Sequence, residues 1–269
     1  MLPGKTFFKL YSSYLTNPDI IPEIVRREFI APLMRRIGQN QPSEAQRKKA
    51  KQLATNWCEK VAVDLREVCK VFGIDSRDVK MLRELYPIEI ETALNSENDC
   101  PFKLGGAANL DFLYLISEHL KVKNVLETGV AYGWSSLALL LSLQNRASGT
   151  LYSIDLPYFH LQNDEYVGCV IPHDLKRHWT LLRMADKEGL RKVVKLCNSF
   201  DLVHYDSDKS YTGRLSSYKF IWPYVREGGV LISDDVGDNF AFRDFAEYAE
   251  VSPLIMPYDQ KYQGVVIKN

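Results

Sequence analysis

Three aspartates end two strand-like segments in the second half of the chain. Asp206 follows the segment Phe200–Tyr205, and Asp234 and Asp235 follow Gly229–Ser233. Neighbouring strands of a doubly wound sheet end at one shared edge, so we expect the three carboxylates to meet there. Close carboxylates repel one another unless a cation or a proton lies among them, and an all-oxygen ligand set selects Mg²⁺ or Mn²⁺ rather than zinc. The sequence therefore predicts a divalent-cation site at this edge.

This interpretation leaves two points open. Successive residues of a regular strand point to opposite faces, so Asp234 and Asp235 reach one ion only if the chain has already left the sheet. One of the pair can instead cap the next turn, which is common for aspartate. Lys209, three residues after Asp206, is the candidate proton acceptor if a nearby cation lowers its pKa, and is otherwise a solvated lysine.

A second group of polar residues surrounds a turn with two glycines. Val125–Thr128 is a short buried-strand segment, Gly129 and Gly133 bound the turn, and Ser135 begins an apolar helical segment. A strand, a glycine turn and a helix N-terminus together form a site for anionic or polar groups. Asp155 ends the next strand, 26 positions after Gly129, and is suited to bind ribose hydroxyls.

The spacing of the glycines distinguishes two classes of cofactor. Dehydrogenases use G-x-G-x-x-G to approach a pyrophosphate, whereas this turn reads E-x-G-x-x-x-G, with Glu127 before it and Ala131 in place of the second glycine. An acid disfavours a pyrophosphate, but it favours the ammonium and sulfonium groups of S-adenosylmethionine (SAM). Ser135 can hold the carboxylate of that cofactor. The alternative is that Glu127 only binds local backbone amides.

Strand-like and helical segments alternate after residue 101, where we place the start of a second domain, 101–269. The further strand-like segments are Leu151–Asp155, Trp179–Leu182, Phe200–Tyr205, Gly229–Ser233 and Gly264–Ile267. Together with the first strand they predict an α/β fold with a Rossmann-like, doubly wound, mostly parallel seven-stranded sheet. Six of the seven strands can be located from the sequence.

Residues 1–100 carry no nucleotide motif and predict a helical N-terminal extension. Ser43 and Gln46 form a capping-box pattern, and apolar residues at steps of three and four predict one helix over 53–72. A shorter helix is predicted over 75–86 and a polar loop over 95–101. The apolar face indicates helix packing, and a cap that selects the second substrate is a compatible role.

Composition excludes several classes of protein. Acidic and basic residues balance at 34 each, which gives no reason to expect nucleic acid or an anionic membrane as a partner. The N-terminus lacks the long apolar region of a signal peptide, and the apolar run at 136–143 is too short to span a bilayer. Five cysteines without a CxxC pair favour a reduced, cytoplasmic protein without a zinc site.

The motifs resemble those of a known group of enzymes. ETGVAYGWS (127–135), DSDKSY (206–211) and SDDV (233–236) are similar to motifs of cation-dependent class I O-methyltransferases, the catechol and caffeoyl-CoA enzymes among them. The double aspartate resembles the macrocin-type sugar O-methyltransferases. The run GGAANLDFLYLISEHLK through SIDLP, with DDVGDNFAF, is similar to methyltransferase family 24, many of whose members have histidine where Lys209 stands. The likeness covers roughly the last 165 residues and is more specific for a SAM fold than for a metal.

The resemblance implies a role for each matching residue. It implies binding of SAM by Glu127, Gly129, Ala131, Gly133, Ser135, Asp155, Ala185 and Asp186, the last two at the adenine. It also implies binding of Mg²⁺ or Mn²⁺ by Asp206, Asp234 and Asp235. Lys209 would act as the base, beside Asp206.

We therefore expect a SAM-dependent O-methyltransferase that methylates a hydroxyl of a small catechol-like molecule or sugar diol. A divalent cation would lower the pKa of the hydroxyl and fix its position. Neither nucleic acid nor membrane is expected as a partner, and a homodimer is the assembly to test. The alternatives are a cation-independent N- or O-methyltransferase with Asp206 or Lys209 as base, a non-catalytic binding protein with this fold and, more distantly, a dehydrogenase.

Overall fold

The computed structural model describes residues 11, 14, 18–36, 43–146, 148–157 and 164–269. Its centre is a sheet of seven strands: β1 (Asn124–Thr128), β2 (Thr150–Asp155), β3 (Trp179–Arg183), β4 (Phe200–Tyr205), β5 (Val225–Ser233), β6 (Leu254–Tyr258) and β7 (Lys261–Ile267). The strand order is β3-β2-β1-β4-β5-β7-β6, and only the pairs that involve β7 are antiparallel. The predicted Rossmann-like, mostly parallel sheet is therefore confirmed.

Helices precede the sheet and cover both of its faces. They are α1 (Ile21–Val25), α2 (Ala31–Arg36), α3 (Glu44–Val61), α4 (Leu65–Phe72), α5 (Leu82–Leu85), α6 (Pro87–Asn98), α7 (Leu110–His119), α8 (Trp134–Leu143), α9 (Asp186–Leu196), α10 (Tyr211–Ile221) and α11 (Ala241–Tyr248). A π-helical turn, Arg26–Ile30, joins α1 to α2. None of the helices in the described ranges is both long enough and apolar enough to cross a bilayer.

Two apolar layers enclose the sheet because successive strand residues point to opposite faces. Val125 packs in the layer with α7 and α8, and Leu126 packs in the layer with α9, α10 and α11. Every residue of α8 is buried. This burial explains why the α8 sequence is continuously apolar rather than amphipathic.

The predicted helix over 53–72 is wrong in one respect, because it is two helices. The predicted capping box is present at Ser43, but α3 ends at Val61 and α4 begins only after Asp64, which caps it. In the break, the amide of Val63 donates to the carbonyl of Ile255 at 2.8 Å. Pairing with β6 therefore interrupts a pattern that is locally continuous.

Two other predicted boundaries are also wrong, and one strand had not been located. Residues 75–86 form a 3₁₀ turn, Ser76–Asp78, then an extended stretch and the short α5. The loop expected over 95–101 begins later, because α6 continues to Asn98. The missing strand is β6, the last in the order of the sheet, where Pro257 is tolerated because an edge strand has one unpaired side.

Candidate active site

The glycine turn lies at the point where the strand order reverses, between β2 and β4 on either side of β1, the usual location of a ligand crevice in such sheets. Gly129 has a φ of +82° and Gly133 a φ of +96°, a region that favours glycine. A Cβ atom at Gly129 would lie 2.4 Å from the carbonyl oxygen of Asp206. The turn and the end of β4 are thus in direct backbone contact.

Glu127 lies below this turn as a buried acceptor of three hydrogen bonds. Its carboxylate accepts hydrogen bonds from Ser135 (2.6 Å), Ser136 (2.5 Å) and Ser153 (2.7 Å), and its side chain is fully buried. These bonds tie β1 to the start of α8 and to β2. Glu127 binds local hydroxyls, rather than the backbone amides considered as the alternative. The hydroxyl of Ser135 is directed to Glu127.

Asp155 is held in a fixed orientation at the end of β2. One carboxylate oxygen accepts the amides of Val130 (2.7 Å) and Ala131 (3.2 Å), and the other pairs with Arg183. Burial raises the pKa of Asp155, and Arg183 and the two amides oppose this effect. Ala131, with a φ of +51°, keeps its place in the turn because Asp155 binds its amide.

Ala185 and Asp186 lie where α9 begins. The carboxylate of Asp186 accepts hydrogen bonds from Ser207 (2.5 Å) and from Tyr205 (3.1 Å). Burial raises the pKa of Asp186, and the two hydroxyls oppose this effect. These bonds link the start of α9 to the end of β4.

The three predicted aspartates do meet at one edge of the sheet, together with Lys209. The ammonium of Lys209 pairs with Asp206 and lies 2.8 Å from Asp235. The φ of Asp235 is +55°, so the chain has left the regular strand at this point. That backbone conformation is what allows the side chain of Asp235 to reach the same lysine as Asp206.

Two residues of β7, which the sequence did not indicate, complete this cluster. Lys261 Nζ lies 3.0 Å from Asp235, and the side-chain amide of Gln263 donates to Asp234 at 2.7 Å. Lys261 begins the strand that returns antiparallel beside β5, and no spacing rule connects it to the aspartates. Lys261 reaches Asp235 only because β7 pairs with β5.

The arrangement favours charged forms for the lysines and for two of the aspartates. Burial opposes the ammonium of Lys209, but Asp206 and Asp235 outweigh it and raise its pKa. Burial and the charge of Asp234 raise the pKa of Asp206, against the opposing effect of Lys209. The pKa values of Asp234 and Asp235 are lowered by their cationic partners, which outweigh burial.

The residues as arranged do not fit a divalent cation. The ammonium of Lys209 lies between Asp206 and Asp235, where an ion would have to lie, and Lys261 and Gln263 hold further carboxylate oxygens. Across the described ranges, no three histidine, cysteine or acidic side chains are grouped as metal ligands. The protein's own cations offset part of the repulsion from which an ion was predicted.

His204 connects the two halves of the site from within the sheet. Its Nδ1 lies 3.7 Å from Glu127 and its Nε2 lies 3.4 Å from Asp234. Burial opposes a charge on the ring, but Asp234 and Glu127 outweigh it and raise the pKa of His204 to about 10. The residue is fully buried, and within the described part of the chain neither ring nitrogen makes a hydrogen bond.

Arg214 supports the turn at Asp235 from α10. The residue is 1% exposed, and its Nη1 donates to the carbonyl of Asp235 at 2.7 Å. This bond holds the left-handed conformation that a non-glycine residue rarely adopts. A buried arginine on a helix carries no local sequence signal of such a role.

A cavity of about 1510 Å³ joins the two groups of residues. Its walls include Gly129, Ala131, Ser135, Asp155, Ala185 and Asp186 on the side of the glycine turn, and Asp206, Lys209, Asp234 and Asp235 on the other. Glu127 and Gly133 are not among the lining residues. The volume exceeds the roughly 300–1,000 Å³ of a typical single-ligand pocket, so a cofactor and a second molecule fit together.

Known structures share this fold. The chain is similar to the O-methyltransferase from Bacillus cereus in complex with SAH, at 17% identity and a TM-score of 0.53, covering 69% of this chain and 96% of that one. It is also similar to the O-methyltransferase TomG from Streptomyces achromogenes in complex with SAM, at 16% identity and a TM-score of 0.51, covering 71% and 100%. At these identities the likeness shows a shared fold and no more.

The sequence itself matches a family. Residues 126–236 match the family 24 model of the methyltransferase domain. Among curated proteins, none matches this chain. The matched residues include both the glycine turn and the aspartate cluster, in agreement with the shared fold and with the resemblance of the motifs.

Proposed function

We propose that this chain is a SAM-dependent O-methyltransferase whose acceptor is a small hydroxylated molecule, such as a catechol-like compound or a sugar diol. The main support is the continuous cavity, because the glycine turn and the carboxylate–lysine cluster line the same space. Two proteins of the same fold were crystallised with SAM or with its product SAH, S-adenosylhomocysteine. All five cysteines are free, which agrees with a location in the reducing cytoplasm.

The glycine-turn side of the cavity would hold the cofactor. When bound, SAM supplies a methyl group on a positively charged sulfur. We assign Asp155 to the ribose hydroxyls and Asp186 to the adenine amino group, since both are carboxylates on the cavity wall. The bonds that hold Asp155 keep it in one orientation, and a binding group must be fixed in this way to select one pose.

We assign Asp206 to accept the proton of the acceptor hydroxyl. A hydroxyl is a weak nucleophile at neutral pH, and a carboxylate with a raised pKa is a better base than an exposed one. Lys209 is held in its ammonium form by Asp206 and Asp235. We therefore assign it to stabilise negative charge on the acceptor oxygen, in place of the role of base that the resemblance implied.

A divalent cation has no step in this mechanism, because Lys209 lies where the ion would bind. The proposal is thus the cation-independent form of an O-methyltransferase. We expect methyl transfer to continue unchanged in excess EDTA. Activity that disappears with EDTA and returns with Mg²⁺ would show that an ion displaces Lys209 from the cluster.

The decisive experiment combines binding and transfer. We expect calorimetry to show SAH binding by the wild-type protein, and transfer from radiolabelled SAM to at least one member of a panel of catechols and sugar diols. Asp206→Asn should reduce transfer by about 10²- to 10⁴-fold, the range for loss of a general base, and keep its affinity for SAH. Asp201→Asn, at the opposite end of β4, is the matched control and should keep transfer.

Two results would contradict the proposal. Undiminished transfer by Asp206→Asn would remove Asp206 from the mechanism. Tight binding of SAH by the wild-type protein, with no transfer to any hydroxyl on the panel, would favour the non-catalytic alternative.

A further inference from the structure

Tyr11, Tyr14 and residues 18–36 form a strap over the cofactor side of the cavity, where Pro22 and Glu23 are among the lining residues. Four buried side chains of the strap pack against Leu156, the residue directly after Asp155: these are Tyr11, Tyr14, Ile20 and Ile24. Lys192 of α9 also pairs with Asp19 at 2.5 Å. By contrast, α3 lies at the other end of the cavity, where Thr55 donates to the carbonyl of Gly237. The strap is therefore placed to act on the cofactor.

A chain of polar contacts leads from the strap to the candidate ribose-binding carboxylate. The hydroxyl of Tyr14 donates to one oxygen of Asp164 at 2.5 Å, and Arg183 Nη2 donates to the other oxygen, also at 2.5 Å. Arg183 Nη1 pairs with Asp155. Each member thus orients the next, and Tyr14 lies 150 residues away from Asp164 in sequence.

We call this chain of contacts, from Tyr14 through Asp164 and Arg183 to Asp155, the relay. It depends on its buried end, Tyr14. The side chain of Asp164 is 42% exposed, and an ion pair that is open to water stabilises little on its own. Tyr14 is only 7% exposed, so its hydroxyl adds a bond to Asp164 from the protected side. Burial and the neighbouring carboxylate of Asp164 raise the pKa of Tyr14, so its hydroxyl remains a donor at physiological pH.

We propose that Tyr14 is a positioning residue for the cofactor: through Asp164 and Arg183 it holds Asp155 in the orientation that binds ribose. This inference rests on the proposed SAM-binding function. By thermodynamic linkage, an interaction that stabilises the docked strap increases the affinity for the cofactor. Binding of the cofactor stabilises the docked strap by the same free energy. The strap then controls affinity for SAM and SAH without contacting the acceptor.

The test compares two tyrosines of the strap. Tyr14→Phe removes one hydroxyl and leaves the ring, and should weaken SAH binding by about five- to tenfold, the low end of typical coupling between sites. It should raise the KM for SAM and leave kcat at saturating SAM unchanged. Tyr11→Phe is the matched control, because the hydroxyl of Tyr11 also donates to a carboxylate, Glu28, at 2.5 Å. Its SAH affinity should equal that of the wild type.

A second measurement tests the relay itself. Arg183→Lys should also weaken SAH binding, and the double variant with Tyr14→Phe should be no weaker than Arg183→Lys alone, because both changes break one path. SAH should also slow tryptic cleavage at Arg26 and Arg27 in the wild type, and should do so less in Tyr14→Phe.

The outcomes separate the inference from the proposed function. No binding of SAH by the wild type would refute the function. Wild-type binding with an equal affinity in Tyr14→Phe would overturn the relay. An equal loss of affinity in Tyr11→Phe and Tyr14→Phe would also overturn it, because the strap would then act only through its general stability. If Tyr14→Phe fails to fold, Asp164→Asn, which weakens the same path at a more exposed residue, decides between the same outcomes.

Discussion

Replacing Gly129 by alanine tests the contact between the two halves of the site. At this position two penalties combine, because φ is +82° and the new Cβ would lie 2.4 Å from the carbonyl oxygen of Asp206. A contact of 3.0 Å is the closest that real Cβ atoms tolerate, so turn and strand end must separate by at least 0.6 Å. The displaced residue is the one to which we assign the acceptor proton.

The general costs of backbone strain and of overpacking set the size of both effects. A left-handed backbone costs a non-glycine residue about 1–2 kcal/mol, and forcing extra volume into a packed site costs about 1–3 kcal/mol more. We therefore expect Gly129→Ala to lower the free energy of unfolding by about 2–5 kcal/mol. Since a displacement of about 1 Å can cost roughly 10²-fold in rate, single-turnover transfer should fall by about ten- to a hundredfold.

Gly73→Ala separates the two penalties. Gly73 ends α4 with a φ of +70°, and a Cβ atom there would meet nothing within 4 Å. It should lose only the backbone contribution, about 1–2 kcal/mol in urea unfolding, and keep full transfer. If Gly129→Ala is no less stable than Gly73→Ala and transfers methyl groups equally fast, the close contact between the turn and Asp206 does not exist.

Three further predictions concern other parts of the fold. Asp201 accepts hydrogen bonds from two backbone amides and pairs with Arg226 at 2.5 Å. Burial opposes the charge of the Asp201 carboxylate, but these partners outweigh burial and lower the pKa of Asp201. Asp201→Asn should therefore lose about 1–3 kcal/mol of stability at pH 7, and the difference from wild type should shrink as the pH falls below about 4. Arg214→Met should reduce kcat more than SAH affinity, because the carbonyl of Asp235 loses the donor that holds its turn. Burial raises the pKa of Cys58 to about 12, so iodoacetamide at pH 8 should leave it unlabelled in the native protein and label it in urea.

Each of these has a contrary outcome. The sign for Asp201 follows from a folded-state pKa below the unfolded value, which makes the carboxylate stabilising only while it is ionised. Thermal melts in which the difference between wild type and Asp201→Asn stays constant from pH 7 to pH 3 would show that the charge is not its source. An SAH affinity that falls in Arg214→Met while kcat is kept would place its role on the cofactor side. Rapid labelling of native Cys58, read by peptide mass, would contradict its burial.

The sequence predicted the elements whose cause is local. The buried strand before Gly129, the left-handed turn and the apolar α8 follow one another within twenty residues, and each has a backbone or burial requirement that its own residues satisfy. Asp155, Asp206 and Asp234 could be placed on one edge because parallel strands of such sheets all end there. The predicted meeting of the aspartates followed from that geometry.

The same local reasoning failed where a distant segment decides. The apolar pattern over 53–72 continues without a break, yet pairing of Val63 with Ile255 interrupts the helix. Edge strand β6 contains a proline, and its strand form depends on β7 as a partner. Local propensity is weak compared with such pairing.

What the sequence determined by itself is the class of the fold, the order of its motifs and the edge at which the reactive groups gather. The tertiary structure alone decided which partner each carboxylate meets: Lys261 reaches Asp235 from β7, and Tyr14 reaches Asp164 from the N-terminal part of the chain. The physical reason is that backbone conformation and burial pattern depend on neighbouring residues, whereas the partner of a side chain depends on how separate segments pack. For this protein that difference placed Lys209, Lys261 and His204 beside the three aspartates for which a cation had been predicted.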